Sequence, residues 1–262
     1  MEQAKALRMM LDNIEFLKGH KLVAVIPVGS RMYNLNTPDS DYDFKVIYVP
    51  TRVEMYTNDL KQSRAFKFEQ DGYQVEVNTQ DVRFYINQLR KASVNALETL
   101  FYSGDYVPKG FEDYFDMEVY HNVFDKLIRN KRLVEQNNPM GVYDSIAGQM
   151  LQRKQTLLKH GNYEKDFVHY LRYVNLITDW NGHLNPNYLI EPKNDDSYMR
   201  KLRLGQLPID KDNALEYVNK HLELVKKEEF KSKFRIKNNE AKAFLAEMDS
   251  ELMDMLLINR EF

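Results

Sequence analysis

The chain contains no cysteine. Disulfides, zinc–thiolate centres and cysteine nucleophiles are therefore excluded. Tryptophan occurs once, glycine 10 times and proline 8 times in 262 residues, and no repeat or low-complexity tract appears along the chain. No charge sign dominates either. Lys and Arg number 37 against 39 Asp and Glu, a net charge of −2, so no global field recruits nucleic acid, although a local patch still can. Long apolar runs are missing: Leu22 to Val28 has the length of a strand and falls far short of a membrane span. The opening residues Met1-Glu2-Gln3-Ala4-Lys5 lack the apolar core of a signal peptide. The expectation is a cytoplasmic protein with no membrane partner. Two nucleotide signatures, G-x-x-x-x-G-K-[ST] and G-x-G-x-x-G, are absent as well.

What is present is an ordinary globular composition, 43% apolar and 29% charged, in a chain long enough for one large or two modest domains. Ala4, Leu7, Leu11, Ile14 and Phe16-Leu17 fall at helical spacing and predict a helix over 2–18. The apolar runs 22–28 and 43–49 read as strands buried on both faces. Residues 63–79 read as a hairpin about Asp71-Gly72, a dipeptide suited to a two-residue turn. Thereafter the pattern is helical: 81–91, 94–102, 115–130, 141–160, 163–180, 196–204, 211–231 and 238–258. Asn137-Asn138-Pro139 is the strongest local break. The expected organisation is a small α/β part over 1–115 and a helical part over 116–262.

The chemistry concentrates in Val28-Gly29-Ser30, then ten residues, then Asp41-Tyr42-Asp43-Phe44. A Gly-Ser turn at a strand end can present backbone N–H groups and a hydroxyl to a phosphate. Positions i and i+2 of a strand share a face, so Asp41 and Asp43 converge. Paired carboxylates beside a phosphate cradle suit Mg²⁺, a hard ion commonly shared with substrate phosphates. Two-metal phosphoryl transfer asks for a third carboxylate, with the ions about 3.5–4 Å apart. Glu76, between Val75 and Val77, faces away from those valines and is the best third ligand; Glu69 and Asp81 are the substitutes. In this reading Asp41 and Asp43 bridge two Mg²⁺ ions, with Mn²⁺ as a replacement. Glu76 serves the attacking hydroxyl, and Gly29 and Ser30 hold the triphosphate of a nucleotide such as ATP.

These residues resemble the DNA polymerase β-like nucleotidyltransferase superfamily, whose signature is an apolar residue, Gly-Ser, about ten residues, Asp-x-Asp and a later carboxylate. They are most similar to predicted bacterial and phage members with Gly-Ser-Arg-x-Tyr-Gly and Thr-Pro-Asp-Ser-Asp-x-Asp. This chain has Gly29-Ser30-Arg31-Met32-Tyr33-Asn34 and Thr37-Pro38-Asp39-Ser40-Asp41-Tyr42-Asp43. Asn34 replaces the family's glycine, and asparagine tolerates positive φ. Asn95 to Phe101 and Lys165-x-x-x-His169-Tyr170-Leu171-Arg172 resemble two helices of that group, and Leu204-Gly205-Gln206 echoes a third segment. The resemblance implies an α+β fold: a small mixed-sheet transferase domain followed by an all-helical domain that closes over the nucleotide. It implies Mg²⁺-dependent transfer of a nucleoside monophosphate, with Gly29, Ser30 and Arg31 at the substrate. It does not imply the acceptor.

In the helical half, Lys165, His169 and Arg172 fall at i, i+4 and i+7 and share a face. That face reads as a cationic stripe for the triphosphate or a polyanionic acceptor. From Lys126 to Arg203 there are 13 Lys or Arg and 8 Asp or Glu, an excess that fits an RNA acceptor and equally a phosphate site. Tyr143, Tyr163, Tyr170, Tyr173 and Trp180 could stack bases, but aromatics at helical spacing are more often core. Glu98, on an apolar helix, is expected to pair with an arginine near the site. The expected enzyme joins a nucleoside monophosphate from a nucleoside triphosphate to an acceptor, preferably an RNA or tRNA end, and releases pyrophosphate. Alternatives are a protein or small-molecule acceptor, or a non-catalytic, antitoxin-like nucleotide-binding protein. Three intact carboxylates argue against the last.

Overall fold

The computed structural model describes residues 3–56, 63–159, 163–185 and 198–258. Its centre is a four-stranded mixed sheet in the order β1-β2-β4-β3. The strands are β1 (Leu22–Val28), β2 (Tyr42–Tyr48), β3 (Ser63–Gln70) and β4 (Tyr73–Asp81). β1 runs antiparallel to β2, β2 parallel to β4, and β3 antiparallel to β4. The β3–β4 hairpin turns on Asp71 and Gly72, both at positive φ (52° and 73°). That is the primed turn whose twist matches paired strands.

Both faces of the sheet are covered, as the near-continuous apolar runs of β1 and β2 require. Helix α1 (Gln3–Asn13) packs on one face, against Val25, Phe44, Val46, Tyr48, Val75 and Val77. On the other face Val23, Ile26, Ile47 and Val49 join a core that runs through the helical half as far as Leu256. The longer helices there are α2 (Val82–Arg90), α3 (Pro139–Lys159), α4 (Tyr163–Thr178), α5 (Lys211–Lys226) and α6 (Asn239–Ile258). The fold is thus α+β, a small mixed sheet followed by helices. Among the described residues no helix is long and apolar enough to cross a membrane.

Several helices differ from their expected extent. The 2–18 helix breaks at Ile14, which is extended (φ −117°, ψ 94°) before the short turn Glu15–Lys18. The 94–102 helix tightens into a 3₁₀ turn over Glu98–Phe101, and 115–130 is interrupted by a π turn over Tyr120–Phe124. The 211–231 helix stops at extended Lys227 and restarts at Glu228. Short helices at Arg52–Tyr56 and Lys131–Glu135 had too few residues to show a period. Of the aromatics weighed between base stacking and core, Tyr143, Tyr170 and Trp180 are core. The hydroxyls of Tyr143 and Tyr170 donate to backbone oxygens of Val225 and Val218, and Trp180 stacks on Phe234 at 4.9 Å. The Tyr163 side chain lies outside the described residues.

Candidate active site

β1 ends at Val28, opposite Asp43 in the β1–β2 register, and Asp43 is opposite Glu76 in the parallel β2–β4 register. Three strands therefore converge on one point of the sheet. Asp41, Asp43 and Glu76 each offer a carboxylate oxygen, and these oxygens lie within 4.8 Å of one another. The substitutes are not needed there. Asp81 caps α2, accepting from the Arg83 N–H at 2.8 Å, and pairs with the Arg83 guanidinium. Glu69 is exposed on the sheet edge.

Like charges in a half-buried cluster disfavour ionisation. Burial first, then the charges of Asp41 and Glu76, push Asp43 up to about 6. Three hard oxygen donors at this spacing fit a Mg²⁺ or Mn²⁺ ion, and the mutual repulsion is what such an ion would relieve.

Gly29 and Ser30, expected as an open turn, begin a single helical turn over Gly29–Met32. Gly29 has φ +69°, and a Cβ built on it would stand 2.2 Å from Asp43 Oδ2. Only glycine lets this backbone lie against the carboxylate. Gly29→Ala is expected to cost about 1–2 kcal/mol for the left-handed conformation and to turn Asp43 out of the cluster. A Mn²⁺ titration should show a large loss of affinity beside a modest loss in thermal midpoint; unchanged affinity would contradict this close approach.

The segment between Ser30 and Asp41 is clipped in place. Arg31 donates to the Asp41 carbonyl at 3.0 Å and the Ser40 carbonyl at 2.5 Å, and its guanidinium lies 3.4 Å from the Tyr42 ring centroid. Arg31 thus braces the loop, and it does not line the cavity described next. Asn34 is at φ +54°, the conformation in which it can stand for glycine. Its carbonyl accepts from Arg200 at 2.6 Å.

Asp41 and Asp43 open onto a cavity of about 530 Å³ between the sheet and the helices, a size that suits a nucleotide-like ligand. Gly29 and Ser30 form one side. Lys165, His169 and Arg172 of α4 and Gln149, Gln152 and Arg153 of α3 form the other. The three α4 residues share this wall but are not a cationic stripe. Arg172 is buried and donates to Glu98, which also accepts from the Tyr33 hydroxyl. Its guanidinium lies 3.8 Å from the Tyr33 ring centroid and 4.5 Å from that of Tyr173. Burial opposes the Arg172 charge, but Glu98, Tyr33 and Tyr173 together outweigh it and the pKa rises above its usual value. His169 is held well below the imidazole range, by burial first and then by Arg172, Arg153, Lys165 and Arg203. It is neutral at physiological pH, a hydrogen-bonding group rather than a counter-charge.

Sequence reasoning missed Lys45, Asn78 and Gln80, all on the cavity wall. The signal was available, since Lys45 follows Asp43 by two residues and Asn78 and Gln80 continue the Glu76 face. Lys45 is buried and donates to the Asn95 carbonyl at 2.9 Å. Burial pulls it down to about 8, with Glu98 opposing. Gln149, Gln152 and Arg153 carry no comparable signal, because an isolated helix does not disclose which face meets the sheet.

The strand-to-turn glycine, the Asp-x-Asp on the neighbouring strand and the facing Glu76 are the arrangement the resemblance implies. Residues 3–111 match the RNA repair pathway DNA polymerase β family. This segment is thus similar to the polymerase β-like nucleotidyltransferases. A solved nucleotidyltransferase-like protein from Exiguobacterium sibiricum 255-15 aligns with the whole of this chain and 81% of its own, at 13% identity and a TM-score of 0.34. None of the curated proteins matches the chain. The matching segment contains the sheet, Gly29, Ser30 and all three carboxylates. The α3 and α4 side chains on the facing wall come from beyond it.

Proposed function

We propose that the protein is a Mg²⁺-dependent nucleotidyltransferase that transfers a nucleoside monophosphate from a nucleoside triphosphate to an RNA end. The observation that carries this reading is the convergence of Asp41, Asp43 and Glu76 beside Gly29 at the mouth of a nucleotide-sized cavity. Asp41, Asp43 and Glu76 would hold the metal, which when bound supplies Lewis-acid polarisation of the phosphate and of the attacking hydroxyl.

The chain's own groups do the rest. The Gly29–Ser30 backbone, the Ser30 hydroxyl and Lys165 orient the triphosphate within the cavity. The acceptor oxygen attacks the α-phosphorus in line. The bond from that phosphorus to the β-bridging oxygen breaks, and pyrophosphate carries away the electron pair. Glu76 is on hand for the hydroxyl proton. Neutral His169 and the amides of Gln149 and Gln152 offer hydrogen bonds without adding charge. Arg172, Glu98 and Tyr33 position the Gly29–Tyr33 segment rather than touch substrate.

The RNA acceptor is supported by the RNA repair context in the matching family's description and by the basic excess over Lys126 to Arg203. The test is release of pyrophosphate from each nucleoside triphosphate with Mg²⁺, with and without total RNA. Release that requires RNA, with label entering RNA ends, is the expected result. Label entering protein or a small molecule would overturn the acceptor alone. No metal-dependent turnover with any acceptor would overturn the enzyme reading.

A further inference from the structure

Lys67 has no part in the scheme above, yet it touches one of its ligands. It lies on β3 directly opposite Glu76 in the antiparallel β3–β4 register, so the two side chains share a face. The Lys67 ammonium stands 2.5 Å from Glu76 Oε2. Its side chain is 72% exposed and that of Glu76 is 36% exposed, so the lysine reaches the carboxylate from solvent and not from the core. It also borders a shallow cleft at the sheet edge with Asp41, Glu69, Gln74 and Glu76, outside the main cavity. One of three crowded carboxylates is therefore already neutralised by a cation of the chain itself.

An ammonium is a compact charge on a flexible four-carbon stem. An exposed one can leave its partner without disturbing packing. A magnesium ion needs its oxygens at about 2.0–2.1 Å, and two cations on one carboxylate repel each other. Resting on the metal reading above, we propose that Lys67 is a positioning residue: an internal counter-ion that holds Glu76 in the metal-free protein and is displaced when a divalent cation binds. Metal binding then works against the Lys67–Glu76 pair, and the third carboxylate joins the ion only as the lysine swings into the edge cleft.

The test uses Mn²⁺ alone as probe, without nucleotide, titrated by calorimetry into the full chain. Lys67→Gln is expected to bind Mn²⁺ about fivefold more tightly than wild type, the scale of an exposed ion pair, and to unfold at a lower temperature in metal-free buffer. Lys67→Arg should restore the wild-type affinity. In a Glu76→Gln background, Lys67→Gln should gain little, because the partner it releases is gone. Equal or weaker Mn²⁺ binding by Lys67→Gln would overturn the proposal while leaving the metal site standing. A full fivefold gain in the Glu76→Gln background would overturn it too, as a general charge effect. Absence of saturable Mn²⁺ binding by the wild type would remove both the metal reading and this inference.

Discussion

Asp43→Asn is expected to lower transfer on the order of a thousandfold, equivalent to about 4 kcal/mol of transition-state stabilisation, while making the metal-free protein more stable. Asp43 is where burial and the Asp41 and Glu76 charges meet most strongly. Burial and those two charges outweigh what Lys165 and Lys67 return to its carboxylate. Asparagine keeps the shape and removes the charge. Asp41→Asn should behave alike in activity.

The stability half has a pH signature. Asp43 sits near 6 in the folded protein against an ordinary value of 3.8. Between those values the folded state binds more protons than the unfolded chain. Stability in metal-free buffer therefore falls as pH rises from about 4 to about 6, then levels. In Asp43→Asn that component of the fall should vanish, so the wild-type and variant midpoints diverge across this window in favour of the variant. Thermal unfolding in chelator at several pH values measures this, and pyrophosphate release measures the rest. A variant with near wild-type turnover, or one destabilised at pH 7, would contradict the assignment.

The second large effect is one of stability. Arg172→Ala should destabilise the protein by about 3–5 kcal/mol, the usual cost of stranding one member of a buried ion pair. Glu98 is 2% exposed, as is Arg172, and truncation leaves its carboxylate with the Tyr33 hydroxyl and no ion-pair partner among the described residues. Glu98→Ala should cost a similar amount, and the double variant should recover part of it. Thermal and urea unfolding of the two single variants and the double variant form a cycle that isolates the coupling. Nucleotide affinity measured on the folded fraction should change much less than stability. The opposite pattern, intact stability with a tenfold loss of affinity, would make Arg172 a substrate ligand.

That result bears on what was legible in the sequence. Strand periodicity was enough to bring Asp41, Asp43 and Glu76 to one face, because a two-residue repeat leaves a side chain few choices once its neighbours are buried. The hairpin turn was legible for the same local reason, since Asp71-Gly72 can take two positive φ angles. Glu98 was expected to meet an arginine, and Arg172 is that arginine. Spacing put Lys165, His169 and Arg172 on one wall but could not say what each would meet there. Two of the three lose their expected charge role to long-range partners: Arg172 to Glu98, and His169 to burial among cations. Arg31, read as a substrate ligand from its place in the motif, reaches the Ser40 and Asp41 carbonyls. That contact depends on how the following loop folds back, which no local pattern encodes.

The parallel pairing of β2 with β4 also sets when the site comes into being. β3 and β4 close on each other through a two-residue turn, a local event. Asp43 meets Glu76 only when β4 pairs with a strand that precedes it in the chain. A chain released before β4 carries the Asp-x-Asp pair but no triad. Long-range parallel pairing of this kind is slow relative to hairpin formation. Acquisition of Mn²⁺ affinity during refolding should therefore lag hairpin formation and report the docking of the central sheet.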